Sequence, residues 1–277
     1  MILVTGASGN VGLAVVDHLV AAGEPVRALT RDQSPFNFPA EVEFVSGDLS
    51  DSESLTEVFE GIDKLFLFTP PSGNGDVPRF AQSQGVKHIV LLSSIVTQKA
   101  DPKTNVIAAR HCAAEQAVLE AGLTWTFLRP DTFAANALEW AESIRAAGAV
   151  KAPYGQSLRC PIHEKDIAAV AVAALSQSGH EESAYWLTGP EPISVIEQVE
   201  AISKEINKPI TFEELNREEA LELMTQKMPK PAVERLLDYA LKSIDTPPPI
   251  SDAVKKVLGR PALTFKQWAF DHTKDFV

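Results

Sequence analysis

Cysteine is scarce in this chain: two in 277 residues, Cys112 and Cys160. They have no metal-ligand spacing and cannot build a disulfide framework, so each reads as a small, partly buried side chain, and no metal site is expected. Long apolar runs are also missing. No stretch of ~20 apolar residues and no basic leader ahead of an apolar core occurs, so neither a membrane span nor a secretory signal is expected, and the chain reads as cytoplasmic. Basic charge is in deficit, with 25 Lys and Arg against 37 Asp and Glu for a formal charge of −12. That balance opposes attraction to phosphate backbones and anionic lipid, and no local basic patch overrides it. Nucleic acid and membranes are therefore not expected partners; a small-molecule substrate is, and the sequence leaves the oligomeric state open. Internal repeats and low-complexity tracts are absent too. With 45% apolar and 22% charged residues, the length suits one large α/β domain or one domain with a smaller appendage.

What is present is a glycine turn. The string Thr5-Gly6-Ala7-Ser8-Gly9-Asn10-Val11-Gly12 follows the apolar run Ile2-Leu3-Val4 and opens a helical stretch from Leu13 to Ala22. Gly6 meets the backbone angles of a tight turn, Gly9 lets the chain approach a pyrophosphate, and Gly12 lets helix and strand pack closely. The helix N-terminus adds free amides and a positive dipole end. Three glycines alone are weak evidence, but strand before and helix after point to a dinucleotide site rather than an ordinary turn.

Short β-branched runs recur through the first half: Ile2 to Thr5, Val26 to Leu29, Val42 to Val45, Leu65 to Phe68, Ile89 to Leu92 and Trp125 to Leu128. Helical segments separate them, including one expected from Asp51 or Ser52 to Gly61 around Leu55-Val58-Phe59, and one from about Ile107 to Ala121. The pattern predicts a Rossmann-type α/β fold with a doubly wound parallel sheet. Beyond Pro130 the texture changes, and eleven of the nineteen prolines lie past residue 150. Amphipathic helices are expected over Ile193 to Ile206, Arg217 to Gln226, Pro231 to Leu241 and Phe265 to Phe276, with Tyr185 to Thr188 returning to the sheet as a strand. We divide the chain into a dinucleotide-binding core, 1–130, and a smaller, mainly helical substrate-covering part, 131–277.

An NAD-selective site carries an acidic residue about 20 positions past the glycines. Here the second strand ends Ala28-Leu29-Thr30-Arg31. A guanidinium there suits the 2′-phosphate of NADP(H), Ser34 adds a hydroxyl, and Asp32 either pairs with Arg31 or turns toward a ribose. Asp48-Leu49 would flank the adenine, unless Asp48 caps its loop. Thr69-Pro70-Pro71 would line the cofactor path or simply stiffen a loop.

Several blocks resemble the NmrA-like branch of the atypical short-chain dehydrogenase/reductases. They are Thr5 to Gly12, Val26 to Arg31, Gly47-Asp48-Leu49, Val90-Leu91-Leu92-Ser93-Ser94, Leu128-Arg129-Pro130, His163 to Ala168 and Leu187-Thr188-Gly189-Pro190. Some members of that branch are similar to quinone reductases, others to dehydrogenases that reduce iminium intermediates of ergot alkaloids, and others are redox-sensing regulators without catalysis. The resemblance implies Ser93 beside the cofactor and Ser94 as the hydroxyl that hydrogen-bonds a substrate carbonyl, against an ordinary Ser-Ser turn. Ordinary members carry Tyr-x-x-x-Lys on the helix after the fifth strand, where the lysine depresses the tyrosine pKa. The tyrosines here are Tyr154, Tyr185 and Tyr239, none with Lys four residues on. Counting back from Glu115, Ile107 falls at the tyrosine place and His111 at the lysine place. His111 reads either as a ribose donor or acid, or as a surface or structural histidine. His163 with Asp166 reads as a loop and N-cap rather than a metal pair.

The expected function is an NADPH-dependent oxidoreductase delivering hydride to a quinone, an enone or an iminium ion, with a non-catalytic NADP sensor as the rival. The acceptor pocket is expected between the strand ends and the C-terminal helices, with Phe68, Ile95, Val96, Phe133, Asn136 and Tyr154 around it. Trp140 reads as plain core at helical spacing.

Overall fold

The computed structural model describes residues 1–31, 38–51 and 55–277. In chain order the elements are β1 (Ile2–Thr5), α1 (Asn10–Ala21), β2 (Val26–Thr30), β3 (Glu43–Ser46), β4 (Lys64–Phe68), α2 (Val77–Ser83), β5 (His88–Leu92), α3 (Val96–Lys99), α4 (Val106–Glu120) and β6 (Thr124–Pro130). There follow α5 (Ala141–Ala147), β7 (Ala149–Pro153), β8 (Leu158–Arg159), α6 (Glu164–Ser176), β9 (Ser183–Leu187), β10 (Ile193–Ser194), α7 (Val195–Glu205), β11 (Thr211–Leu215), α8 (Arg217–Thr225), α9 (Lys230–Asp245), α10 (Ala253–Leu258) and α11 (Phe265–Asp271).

The chain forms two compact units. The first takes residues 1–131, 164–187 and 253–260. Its seven-stranded sheet has the order β3-β2-β1-β4-β5-β6-β9, and every neighbouring pair is parallel. Strands such as β1, β2 and β5 are buried along their whole length, which is why they read as unbroken apolar runs rather than alternating ones. Below the sheet, Leu3, Leu65, Leu67, Ile89 and Phe127 pack with Leu55, Phe59 and Val118, while α6 lies against α1. The order reverses between β1 and β4, which is where open α/β sheets form their ligand crevice. Thr5 stitches that junction: its hydroxyl donates to Phe66 O at 3.1 Å and accepts the Phe68 amide at 2.8 Å.

The helix expected to end at Gly61 is replaced, among the described residues, by a 3-10 turn, Glu57–Phe59. Arg27 braces that turn: its Nη1 donates to the carbonyls of Val58 at 2.7 Å and Glu60 at 2.8 Å, and its Nη2 to Glu43 at 3.0 Å. Leu55, Val58 and Phe59 are nonetheless buried as expected.

The second unit takes residues 132–163, 188–252 and 261–277. Its helices match the amphipathic segments closely, except that the last one stops at Asp271 and continues as a 3-10 turn, Thr273–Asp275. Two small sheets join them, β7 with β11 in parallel and β8 with β10 antiparallel. Trp268, Phe265 and Phe276 fill its core with Ile144, Val150 and Ile202, and Trp140 packs at the margin. Among the described residues no group of three or more His, Cys, Asp and Glu side chains could hold a metal, and no helix is long and apolar enough to cross a membrane.

Candidate functional site

The turn between β1 and α1 is built as its glycines require. Gly6 has φ +61, and its carbonyl accepts the Gly9 amide at 3.0 Å. Gly9 caps α1 in extended geometry with no side-chain hydrogen bond, and the first helical turn carries no acidic residue. The amides of Asn10, Val11 and Gly12 therefore have no acceptor within the helix, and the first helix bond is Leu13 N to Gly9 O at 2.8 Å. A Cβ at Gly9 would meet only Gly6 O, at 3.4 Å. One at Gly12 would lie 2.1 Å from Gly6 O and 2.9 Å from Ala7 Cα. Gly12 thus serves helix packing, while Gly9 borders an open cradle of amides beside Ser8, which fits a pyrophosphate. The Phe68 side chain lies over Gly6, 3.1 Å from where a Cβ would stand, and is 37% exposed.

Arg31 is exposed just past the end of β2. Ser34, and with it Asp32, lies outside the described residues. Asp48 is the loop cap that competed with an adenine contact: its Oδ1 accepts the Ser50 amide and hydroxyl, both at 2.8 Å. Those bonds, assisted by the charge of Arg31, hold its carboxyl below the usual range. Leu49 packs on the core. Thr69 is buried with its hydroxyl donated to Leu92 O at 3.1 Å, and Pro70 O accepts the Gly73 amide at 2.9 Å.

At the carboxyl end of β5 the two serines part company. Ser93 is buried and donates to Glu115 Oε1 at 2.5 Å. Arg129, at the end of β6, grips the same carboxylate with two bonds, Nε to Oε1 at 2.9 Å and Nη2 to Oε2 at 2.7 Å. Ser94 is half-buried, and its Oγ accepts the Val96 amide at 3.3 Å. Among the described residues nothing takes its proton, so Ser94 retains a hydroxyl to donate. The Ile95 amide is tied to Pro130 O at 3.1 Å, which fixes the loop carrying Ser94, Ile95 and Val96. Because all the strands are parallel, this loop, the glycine turn and Phe68 share one edge of the sheet.

The model of the NAD(P)H-binding family matches residues 6–178, from the glycine turn past the end of α6. The chain belongs to that family. The resemblance to a reductase family is borne out by the family model over residues 6–178 and by relatives that span the whole chain. It is 38% identical, over all of its length and 99% of the relative, to the (4-alkanoyl-5-oxo-2,5-dihydrofuran-3-yl)methyl phosphate reductase of Streptomyces griseus. It is 36% identical, over all of its length and 99% of the relative, to an NAD(P)H azoreductase of Xenophilus azovorans. In fold it is similar to a crystal structure of an NADPH-dependent quinone oxidoreductase of Escherichia coli, with a TM-score of 0.77 at 23% identity over 97% of this chain and 98% of that one. The family and the relatives make it an NAD(P)H-dependent oxidoreductase by class.

Within this family member, α4 carries the most perturbed group. His111 is 8% exposed, and Arg110 Nη2 lies 3.4 Å from its Nε2. With arginine as the donor, Nε2 accepts and the ring proton sits on Nδ1, which has no partner among the described residues. Burial, followed by the charge of Arg110, pushes the His111 pKa from 6.5 to about 4. The ring is neutral at pH 7, buried rather than on the helix surface, and holds no acidic proton to give. Neighbouring Cys112 is raised by burial and by Glu115, so it is a thiol. A stability effect follows. The unfolded chain takes up the His111 proton as pH falls through 6.5, but the folded chain only near 4. Stability is thus complete above pH 6.5 and lost on descent to pH 4, by up to about 3 kcal/mol. Urea titrations across that window should show a flatter profile for His111→Gln than for the parent, and parallel profiles would place the ring in solvent.

In the second unit, Phe133 forms a β-bridge with Ile162, and Asn136 is exposed one turn later, its amide on Phe133 O at 3.2 Å. Tyr154 has φ +53, and its hydroxyl accepts Arg217 Nη1 at 3.4 Å. His163 pairs with Asp271 at 3.3 Å and Asp166 with Arg260 at 2.7 Å, and Asp166 lies inside the first turn of α6 rather than at its N-cap. Sequence reasoning passed over the joint role of Ser93, Glu115 and Arg129. Their three elements lie far apart in the chain, and only the resemblance blocks around Ser93 and Arg129 signalled them.

Proposed function

We propose that this protein is an NADPH-dependent reductase that passes hydride to a small, already electrophilic acceptor, a quinone, an enone or an iminium ion. The observation that carries the reading is the lack, among the described residues, of a hydrogen-bonded acid at Ser94. By the family resemblance Ile107 falls at the tyrosine place of ordinary members, and His111, one turn on, is neutral. Such a site suits an acceptor whose hydride uptake needs no simultaneous strong proton donor, so that positioning supplies much of the rate. The named relatives support it: one is a reductase of a compound that carries a ring alkene conjugated to two carbonyls, the other an azoreductase.

In this reading the amides of Ser8, Asn10 and Val11 and the dipole of α1 hold the pyrophosphate, the Gly9 amide being spent on the Gly6 carbonyl, and Arg31 pairs with the 2′-phosphate. When bound there, the cofactor supplies the hydride. Thr69, Pro70 and Ser93 form the floor of its path, Ser93 offering only lone pairs because Glu115 holds its proton. With a quinone or enone, Ser94 donates its hydroxyl to the oxygen that gains charge and the completing proton comes from water; an iminium ion is neutralised by the hydride and needs neither. His111 contributes its neutral Nδ1–H as a donor to a bound ligand oxygen. Phe68, Ile95 and Val96 give the acceptor an apolar bed.

Arg31→Ala should weaken NADPH by about ten- to a hundredfold while leaving NADH nearly unaltered. Both dissociation constants are measured in one buffer, and equal losses would make Arg31 structural. Ser94→Ala should lower turnover by about one to two powers of ten, and His111→Ala by less. Steady-state and single-turnover oxidation of NADPH with quinone, enone and iminium acceptors tests both. If no acceptor is reduced faster than free NADPH reduces it, the reductase reading fails and the non-catalytic NADP sensor replaces it.

A further inference from the structure

Arg110 stands out among the arginines of this acidic chain. Arg27 is paired with Glu43, Arg129 with Glu115 and Arg260 with Asp166. Arg110 is half-buried on α4 with no carboxylate in ion-pair range among the described residues, and its Nε is buried without a hydrogen bond. Burial alone depresses its pKa, with no compensating acid. Glu115, the acid one turn further along the helix, is already taken by Arg129 and Ser93. Among the described residues the guanidinium has one hydrogen-bond partner, His111, which is more than nine-tenths buried and has its own Nδ1 unpaired there. Two adjacent buried donors without acceptors are costly, and a cation without an anion more so. Such a debt is tolerated where a ligand settles it.

Its place in the fold says which ligand. The helix α4 returns from the carboxyl edge of β5 toward the start of β6, and Glu115 marks the level of Ser93. Residues 110 and 111 therefore sit about one turn, ~5 Å, beyond Ser93 on the side where this sheet offers its ligand edge. We propose that Arg110, seated against His111, anchors an anionic oxygen group on the acceptor, a carboxylate, sulfonate or phosphate, so that the acceptors of this enzyme are anions. This deepens the reductase reading and rests on it. A planar guanidinium with a free edge binds such groups through paired, charge-assisted bonds. In a chain of net charge −12, a local cation favours an anionic acceptor over the general field.

Naphthoquinone sulfonate and the uncharged naphthoquinone test this, first as acceptors with NADPH and separately as ligands of the NADP-loaded protein by isothermal titration. The parent should bind the sulfonate about tenfold more tightly than the neutral quinone, and show the same preference in kcat/KM. Arg110→Gln should erase the preference while neutral-quinone and NADPH affinities stay within about twofold, and Arg110→Lys should keep part of it. No preference in the parent overturns the proposal without any variant having to fold. A loss in Arg110→Gln that falls equally on both quinones, or on NADPH alone, also overturns it, the latter because the anion would then be the cofactor's. If neither quinone is reduced yet the sulfonate preference in binding is present and depends on Arg110, the anion subsite stands and the reductase reading falls.

Discussion

Valine at position 9 is expected to abolish nucleotide binding in a protein that still folds, whereas alanine at position 12 is expected to cost the fold itself. The two glycines lie three residues apart in one turn, yet they face different surroundings. At Gly9 the backbone is extended, φ −84 and ψ 164, a conformation valine adopts readily. Its Cβ would meet only Gly6 O at 3.4 Å, so the branched side chain would project into the amide cradle. NADPH affinity should fall by about a hundredfold or more, since the phosphates lose their approach to several amides at once. At Gly12 even a methyl would stand 2.1 Å from Gly6 O and 2.7 Å from Gly6 C. These are backbone atoms of a turn held by Gly9 N to Gly6 O and by the end of β1, and they have nowhere to move. Destabilisation of about 3 kcal/mol or more is expected, a large part of a domain's stability. Circular dichroism and thermal unfolding separate the two outcomes, with NADPH titration on whichever variant folds. Unchanged affinity in Gly9→Val would move the pyrophosphate elsewhere.

The second large effect concerns Glu115. Its carboxylate is buried between Ser93 and both nitrogens of Arg129, joining α4 to the ends of β5 and β6. Glu115→Ala leaves the Arg129 guanidinium, itself only 18% exposed, without a counter-ion, and should cost about 3–5 kcal/mol in urea unfolding. Replacing both partners together, Glu115→Leu with Arg129→Met, should recover most of that loss, because an apolar pair needs no desolvation. The recovered fold would still differ in two respects: the Ser93 hydroxyl would lose its acceptor, and the loop carrying Ser94 would be held less firmly. Turnover should therefore stay depressed in the double variant while NADPH affinity returns. A single variant costing under about 1 kcal/mol would show the pair to be solvated after all.

How far the chain could be read varies element by element. The parallel strands were legible because burial on both faces leaves no polar alternation, so that β1, β2 and β5 stand out as continuous apolar runs. The glycine turn was legible because its backbone angles and close approaches admit few other residues. By contrast α6, Glu164–Ser176, is buried around nearly its whole circumference and has no polar stripe to give the period away. The strand β11 hides for the opposite reason. Its residues Thr211–Leu215 are largely exposed, and it exists through backbone pairing with β7.

Side-chain roles divide along the same line. The sequence by itself determined the fold class, the glycine turn and the absence of any tyrosine with lysine four residues on, since each is a matter of residue type at a local spacing. Tertiary structure decided that the Ser93 hydroxyl is spent on a carboxylate while that of Ser94 is left to donate, that a 3-10 turn braced by Arg27 stands where a helix was expected, and that His111 is buried and neutral beside an arginine with no acid among the described residues. Those outcomes depend on desolvation and on partners brought from distant segments, and neither quantity is a property of the neighbouring residues in the chain.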